Sequence, residues 1–100
     1  MHERDIQRAI LLRYGTDPRM RIWRNSVGYD EGHHVKYGLP GSADILGILK
    51  GGRMICIEVK SATSRQSEQQ VAFQRMIEAH GGLYILARSV SDVEQALLRA

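Results

Sequence analysis

The run Arg53-Met-Ile-Cys-Ile-Glu-Val-Lys60 constrains this chain more than any other segment. As a strand it places Ile55, Ile57 and Val59 on one face and Cys56, Glu58 and Lys60 on the other. Charges are rarely buried without pairing or function, so two of them on a face that a layered fold should cover need an explanation. The chain has 100 residues, enough for a single domain, 1–100, with one core and little besides.

The rest of the sequence fits a covered sheet. Ile6, Ile10 and Tyr14, with Ala9 beside them, recur at helical spacing before Gly15, which predicts a helix over 2–14. Glu3 lies one turn before Ile6, on the stripe that faces the core, an unusual place for a carboxylate. Residues 20–27 read as a strand. Residues 28–41 hold four of the ten glycines and no periodicity, and read as a long loop, a kind that is usually functional or mobile. Two β runs, 43–49 and 53–60, flank Gly51-Gly52, a hairpin signal. Ser67-Glu-Gln-Gln70 fits a capping box opening a helix that ends at His80, before Gly81-Gly82, with Val71, Phe73, Met76 and Ile77 on its apolar side. A fourth strand follows over 83–87. Ser91-Asp-Val-Glu94 fits another capping box and opens a last helix with Val93, Ala96 and Leu97 inward. The order α-β-β-β-α-β-α is that of an α/β chain, packed naturally as one sheet with helices on its faces.

Composition excludes several classes. At 43% hydrophobic and 25% charged residues the chain is in the globular range, and no apolar run nears the roughly 18 residues of a membrane span. The charged N-terminus is no secretory signal, and a single cysteine, Cys56, fits a reducing compartment; a cytoplasmic location in a bacterial or phage-infected cell is expected. Residues 1–24 carry six arginines against Glu3, Asp5 and Asp17, so all of the net charge of +3 lies in the first quarter. Arginine suits phosphate, and Arg4, Arg8, Arg21 and Arg24 are the candidates for nucleic-acid contacts, against a merely solvated face.

Asp44 brings a second carboxylate into play. Asp44 and Glu58 are each seven residues from Gly51. A two-residue Gly51-Gly52 turn, the commonest type, would pair Asp44 with Val59 and put the carboxylates on opposite faces. A three-residue loop, Lys50-Gly51-Gly52, sets Asp44 opposite Glu58, and a five-residue loop or a bulge would also put them on one face. Facing carboxylates repel unless a cation lies between them. Oxygen ligands completed by water and substrate phosphate describe Mg²⁺, with Mn²⁺ able to substitute. With a lysine two residues on, these are parts for metal-assisted attack of water on a phosphodiester. A shared metal therefore requires the rarer register.

Gly41-x-x-Asp44 followed by Ile57-Glu58-Val59-Lys60 resembles the PD-(D/E)XK nuclease signature. The flanking residues are similar to those of its virus-type replication-repair nuclease (VRR-NUC) family. They are Glu3, Arg24-Asn25, Gly38-Leu-Pro-Gly41, Ser67-x-x-Gln70, Gly81-Gly82 before a strand, and Arg88-Ser89. The resemblance covers essentially the whole chain; one departure is Ala43 in place of a proline before Asp44. It implies a restriction-endonuclease-like α/β/α core with a central mixed sheet. Asp44, Glu58 and the Val59 carbonyl would hold the metal, Lys60 would activate water, and Gln70 and Glu3 would complete the site. Gln70 is equally explained by the capping box. Asn25 and Lys36 join the candidates for nucleic-acid binding.

What this implies is a Mg²⁺-dependent DNA endonuclease acting on branched or junction DNA, as a homodimer, in replication, recombination or repair, with no membrane association and no small-molecule cofactor. A chain this short recognises shape through phosphates more readily than sequence. The alternative is a non-cleaving nucleic-acid-binding module of the same fold; a structural subunit of a larger phage complex rests on small size alone. His33-His34 lack a recognised ligand spacing and suit contacts to DNA or a partner. Cys56, Trp23 and Phe73 read as core, and Tyr29 and Tyr37 as residues that could stack on bases.

Overall fold

A computed structural model describes residues 2–100 and, among these, every side chain except those of Tyr29 and Tyr37, so base stacking by that pair lies outside the described residues. The elements in order are α1 (Glu3–Tyr14), β1 (Met20–Arg24), β2 (Gly28–Asp30), β3 (Val35–Tyr37), β4 (Ile45–Leu49), β5 (Met54–Val59), α2 (Glu68–Ala79), β6 (Leu83–Ala87) and α3 (Val90–Arg99). Four strands form a mixed sheet in the order β1-β4-β5-β6, antiparallel except for the β5–β6 pair. The parallel pair is joined by α2, the crossover that such a pair requires.

Helices cover both faces, as the element order predicts. On one, Ile6, Ile10 and Tyr14 of α1 and Val93 of α3 bury Ile22, Ile45, Ile55, Ile57, Val59 and Ile85. On the other, Phe73 and Ile77 of α2 pack with Ala43, Cys56 and Tyr84. No helix is long and apolar enough to cross a membrane among the described residues.

Four features of the fold differ from those expected of the sequence. The 28–41 segment is not without regular structure: Gly28↔Tyr37, Tyr29↔Lys36 and Asp30↔Val35 pair as a two-stranded ribbon. A three-residue strand with little apolar content gives no readable period. The order is accordingly α-β-β-β-β-β-α-β-α. Trp23 is not core: α2 packs over β5 and β6, and the β1 side of that face stays open, with Trp23 50% exposed. Met76, expected on the apolar side of α2, is also exposed. The last helix starts earlier, capped by Ser89, whose hydroxyl accepts the Asp92 N–H, and not by Ser91. The Asp92 carboxylate reaches back to the Arg88 N–H at 2.8 Å, so both members of the cap lie two residues upstream of the sequence match. The Ser67–Gln70 capping box of α2 forms as expected.

Candidate functional site

The β4–β5 hairpin takes the rarer register. Ile45↔Ile57, Leu46↔Cys56, Gly47↔Ile55 and Ile48↔Met54 are paired. The Leu49 N–H bonds the Arg53 carbonyl at 2.7 Å, leaving Lys50-Gly51-Gly52 as a three-residue loop. Gly51 and Gly52 have φ of 100° and 105°, a region costly to a residue with a Cβ, and that is what the two glycines supply. Extended by one residue, the register sets Asp44 opposite Glu58, on the face that α2 covers.

Glu58 is 2% exposed. Its Oε2 accepts a hydrogen bond from Gln70 Nε2 at 3.2 Å, while its Oε1 is buried without a hydrogen-bond partner. Burial pushes its pKa up to about 8; the Asp44 carboxylate, near enough to share a proton, adds to this, and Lys60 opposes it. Asp44 is half-buried, and its Oδ2 accepts the Val59 N–H at 2.8 Å. Its carbonyl takes the Asn25 N–H, also at 2.8 Å, so the strand on either side fixes it. Lys60, half-buried, continues the β5–β6 ladder through its N–H to Ala87, which keeps its side chain on the Glu58 face.

Gln70 both closes the capping box and reaches Glu58. Its Oε1 accepts the Ser67 N–H at 2.8 Å in the capping box, and its amide nitrogen holds Glu58. Glu3 is half-buried, and its Oε2 accepts the Ser61 N–H at 3.2 Å, so it braces the chain just after Lys60.

The basic candidates separate into groups. Arg4, Arg8 and Arg24 line one cleft with Gln7 and Leu11. Arg21 lies elsewhere, beside Lys50, Gly51 and Gly52 at the hairpin tip. Asn25 spends its amide nitrogen on Ser42 Oγ at 2.7 Å and on the Ala43 carbonyl at 2.9 Å, which positions the segment leading to Asp44. Lys36 is exposed on the ribbon, where His33 Nδ1 pairs with Asp30 Oδ2 at 2.7 Å. Cys56 is buried as expected, and burial pushes its thiol up to about 11, which suits a core residue better than a nucleophile.

Two contributors go unassigned from sequence. Arg88 Nη1 donates to the carbonyls of Ser61 and Ser64, clamping the connection between Lys60 and α2. The Arg88-Ser89 motif marks it without disclosing its partners, which lie more than twenty residues away. Tyr84 takes a hydrogen bond from Gln66, and burial together with the nearby Glu58 charge raises its phenol above the usual range.

The architecture that carries these residues has a counterpart among solved structures. A solved structure described as a VRR_NUC domain superposes with a TM-score of 0.71 at 19% identity, over 96% of this chain and 94% of that one. The chain has the fold of a VRR_NUC domain. No protein-family model matches the sequence, and no curated protein matches it. The VRR_NUC fold accounts for the mixed sheet, the crossover helix and the near-complete mutual coverage. Identity this low carries architecture only, and the chemistry of this VRR_NUC-like chain is argued from its own residues.

Proposed function

We propose that the protein is a divalent-metal-dependent DNA endonuclease. The observation that carries this reading is Glu58, a carboxylate buried to 2% exposure beside Asp44, with one oxygen lacking any hydrogen-bond partner. A buried carboxylate placed only for stability is normally satisfied. Here the carboxyl group also stands close to a second carboxylate, Asp44, an arrangement tolerated only with a proton or a cation between them.

The donor set suits a hard cation. Among the described residues no group of three or more His, Cys, Asp or Glu side chains gathers as a metal site. Two carboxylates are what Mg²⁺ commonly takes from a protein, filling its other positions with water and phosphate oxygens. Asp44 and Glu58, with the Val59 carbonyl, would hold Mg²⁺ or Mn²⁺. When bound, such an ion neutralises charge on the phosphate and lowers the pKa of water. The chain's own residues do the rest. Lys60 offers a cation on the same face to orient water or a phosphate oxygen. Gln70 fixes the Glu58 carboxylate, Asn25 fixes the approach to Asp44, and Glu3 and Arg88 hold the chain after Lys60.

The substrate we assign is branched or junction DNA, cut by a homodimer whose two sites serve two strands. A non-cleaving binding module would have no need of the unsatisfied Glu58. A panel of labelled four-way junction, flap, single-stranded and duplex DNAs, incubated with Mg²⁺, Mn²⁺ or chelator, tests the reading. Metal-dependent cleavage, strongest on the branched forms, is the result expected. No cleavage of any form with either metal would return the protein to the class of binding modules.

A further inference from the structure

Arg4, Gln7, Arg8 and Leu11 stand at i, i+3, i+4 and i+7 along α1, and Arg24 faces them from the end of β1 across a cleft of about 380 Å³. Among the described residues the ion pairs join Arg19 to Asp17 and Glu94, and His33 to Asp30; none engages Arg4, Arg8 or Arg24. Three guanidinium groups without carboxylate partners around one opening form an anion receptor. Leu11 supplies an apolar surface and Gln7 an amide, which suit the sugar between two phosphates. Arg24 also lines a neighbouring cleft of about 320 Å³ with Asn25 and Asp44. The arginine cleft therefore adjoins the carboxylate site, and one residue belongs to both.

We propose that this cleft seats phosphates of the DNA strand as it continues from the Asp44–Glu58 site across α1, with Arg24 the contact common to both clefts. The identity of the strand rests on the nuclease reading; the affinity of the cleft for a phosphate backbone does not. Arg21, as exposed and as basic, lies at the hairpin tip and has no part in this path. Binding by diffuse positive charge would use it equally.

The test is binding of a labelled single-stranded oligothymidylate to the intact protein in chelator, where nothing is cut, over a range of salt concentrations. Combined R4Q and R8Q is expected to lower the slope of log affinity against log salt by about 1.4, and R24Q by about 0.7, following roughly 0.7 per phosphate on a single strand. R21Q should leave the slope unchanged. These side chains are exposed, and matching thermal midpoints confirm that the variants fold. An unchanged slope in R4Q/R8Q, or an equal fall in R21Q, overturns the proposal. So does thymidine 5′-monophosphate competing as well as the oligonucleotide, which would make the cleft a site for single nucleotides. Cleavage of the four-way junction, flap, single-stranded and duplex DNAs is read in parallel with Mg²⁺ or Mn²⁺. Binding through the cleft without cleavage would support the proposal and sink the nuclease reading alone; cleavage with arginine-independent binding would sink the cleft alone.

Discussion

The carboxylate of Asp44 accepts the main-chain N–H of Val59 at 2.8 Å, one residue beyond its cross-strand neighbour Glu58. The bond replaces a ladder contact at the point where β4 leaves β5. It fixes one Asp44 oxygen against the strand, beside Glu58, whose Oε1 is the buried side-chain atom left without a hydrogen-bond partner among the described residues. The position of Asp44 is thus set by β5, the strand that bears its partner.

Replacing either carboxylate should separate chemistry from folding. Asp44→Asn and Glu58→Gln are near-isosteric, and each is expected to lower metal-dependent cleavage by at least about 100-fold. Affinity for DNA in chelator should hold or rise, because a negative charge is gone. Near wild-type cleavage by either variant, with folding verified by circular dichroism, would show the site to be misassigned.

The metal-free protein should lose stability on the alkaline side. The folded pKa of Glu58, about 8, lies above its ordinary 4.5. Its contribution is therefore complete below about pH 4.5 and is lost as pH rises through about 8. The thermal midpoint should fall over that window, and Glu58→Gln should flatten the fall. Asp17, held near 2 by Arg19, has the opposite sign: its contribution is complete above about pH 3.8 and is lost as pH falls through about 2. Added Mg²⁺ should raise the midpoint more at pH 8 than at pH 5, since binding must displace the proton. A midpoint insensitive to Mg²⁺ at pH 8 would count against the metal.

Gln70 should couple helix stability to catalysis. Gln70→Ala removes its share of the capping box and leaves Glu58 without its hydrogen-bond donor. We expect a loss of about 1 kcal/mol in urea unfolding and about tenfold in cleavage rate. A stability loss with unchanged kcat would mark Gln70 as a cap alone.

Arg19 should behave unlike the arginines of the cleft. It bridges Asp17 at 2.7 Å and Glu94 at 3.0 Å, and Glu94 in turn takes the Tyr14 hydroxyl at 2.9 Å, so it ties the end of α1 to α3. Arg19→Ala should lower the thermal midpoint modestly at low salt and hardly at all at high salt, as expected of an exposed ion-pair cluster. The salt slope of DNA binding should not change. A fall in that slope would place Arg19 on the DNA path after all.

The sequence makes the site easier to read than its surroundings. Period-two alternation sets the face of Glu58 and Lys60, and counting from Gly51 identifies the register that a shared metal requires. Local preference alone favours a two-residue turn; the three-residue loop wins because it keeps Ile45 and Ile57 on the buried α1 face together. Trp23 is misread because an aromatic in a strand signals burial only where something covers the strand, and coverage depends on the path of α2. The β2–β3 ribbon escapes notice because three residues a side cannot express a pattern. Arg88 is found by no local rule, since the carbonyls it clamps are distant in sequence.

Gly41 has a consequence for how the site can move. It has φ of 81°, and a Cβ there would lie 2.5 Å from the carbonyl oxygen of Gln69, the residue before Gln70. The chain leading to Asp44 is thus pressed against the first turn of α2. Any side chain at position 41 would act as a wedge, prising the helix off the sheet and carrying Gln70 away from Glu58. The bare backbone at this crossing makes the aspartate segment and the glutamine-bearing helix one mechanical part, so that neither can shift without the other.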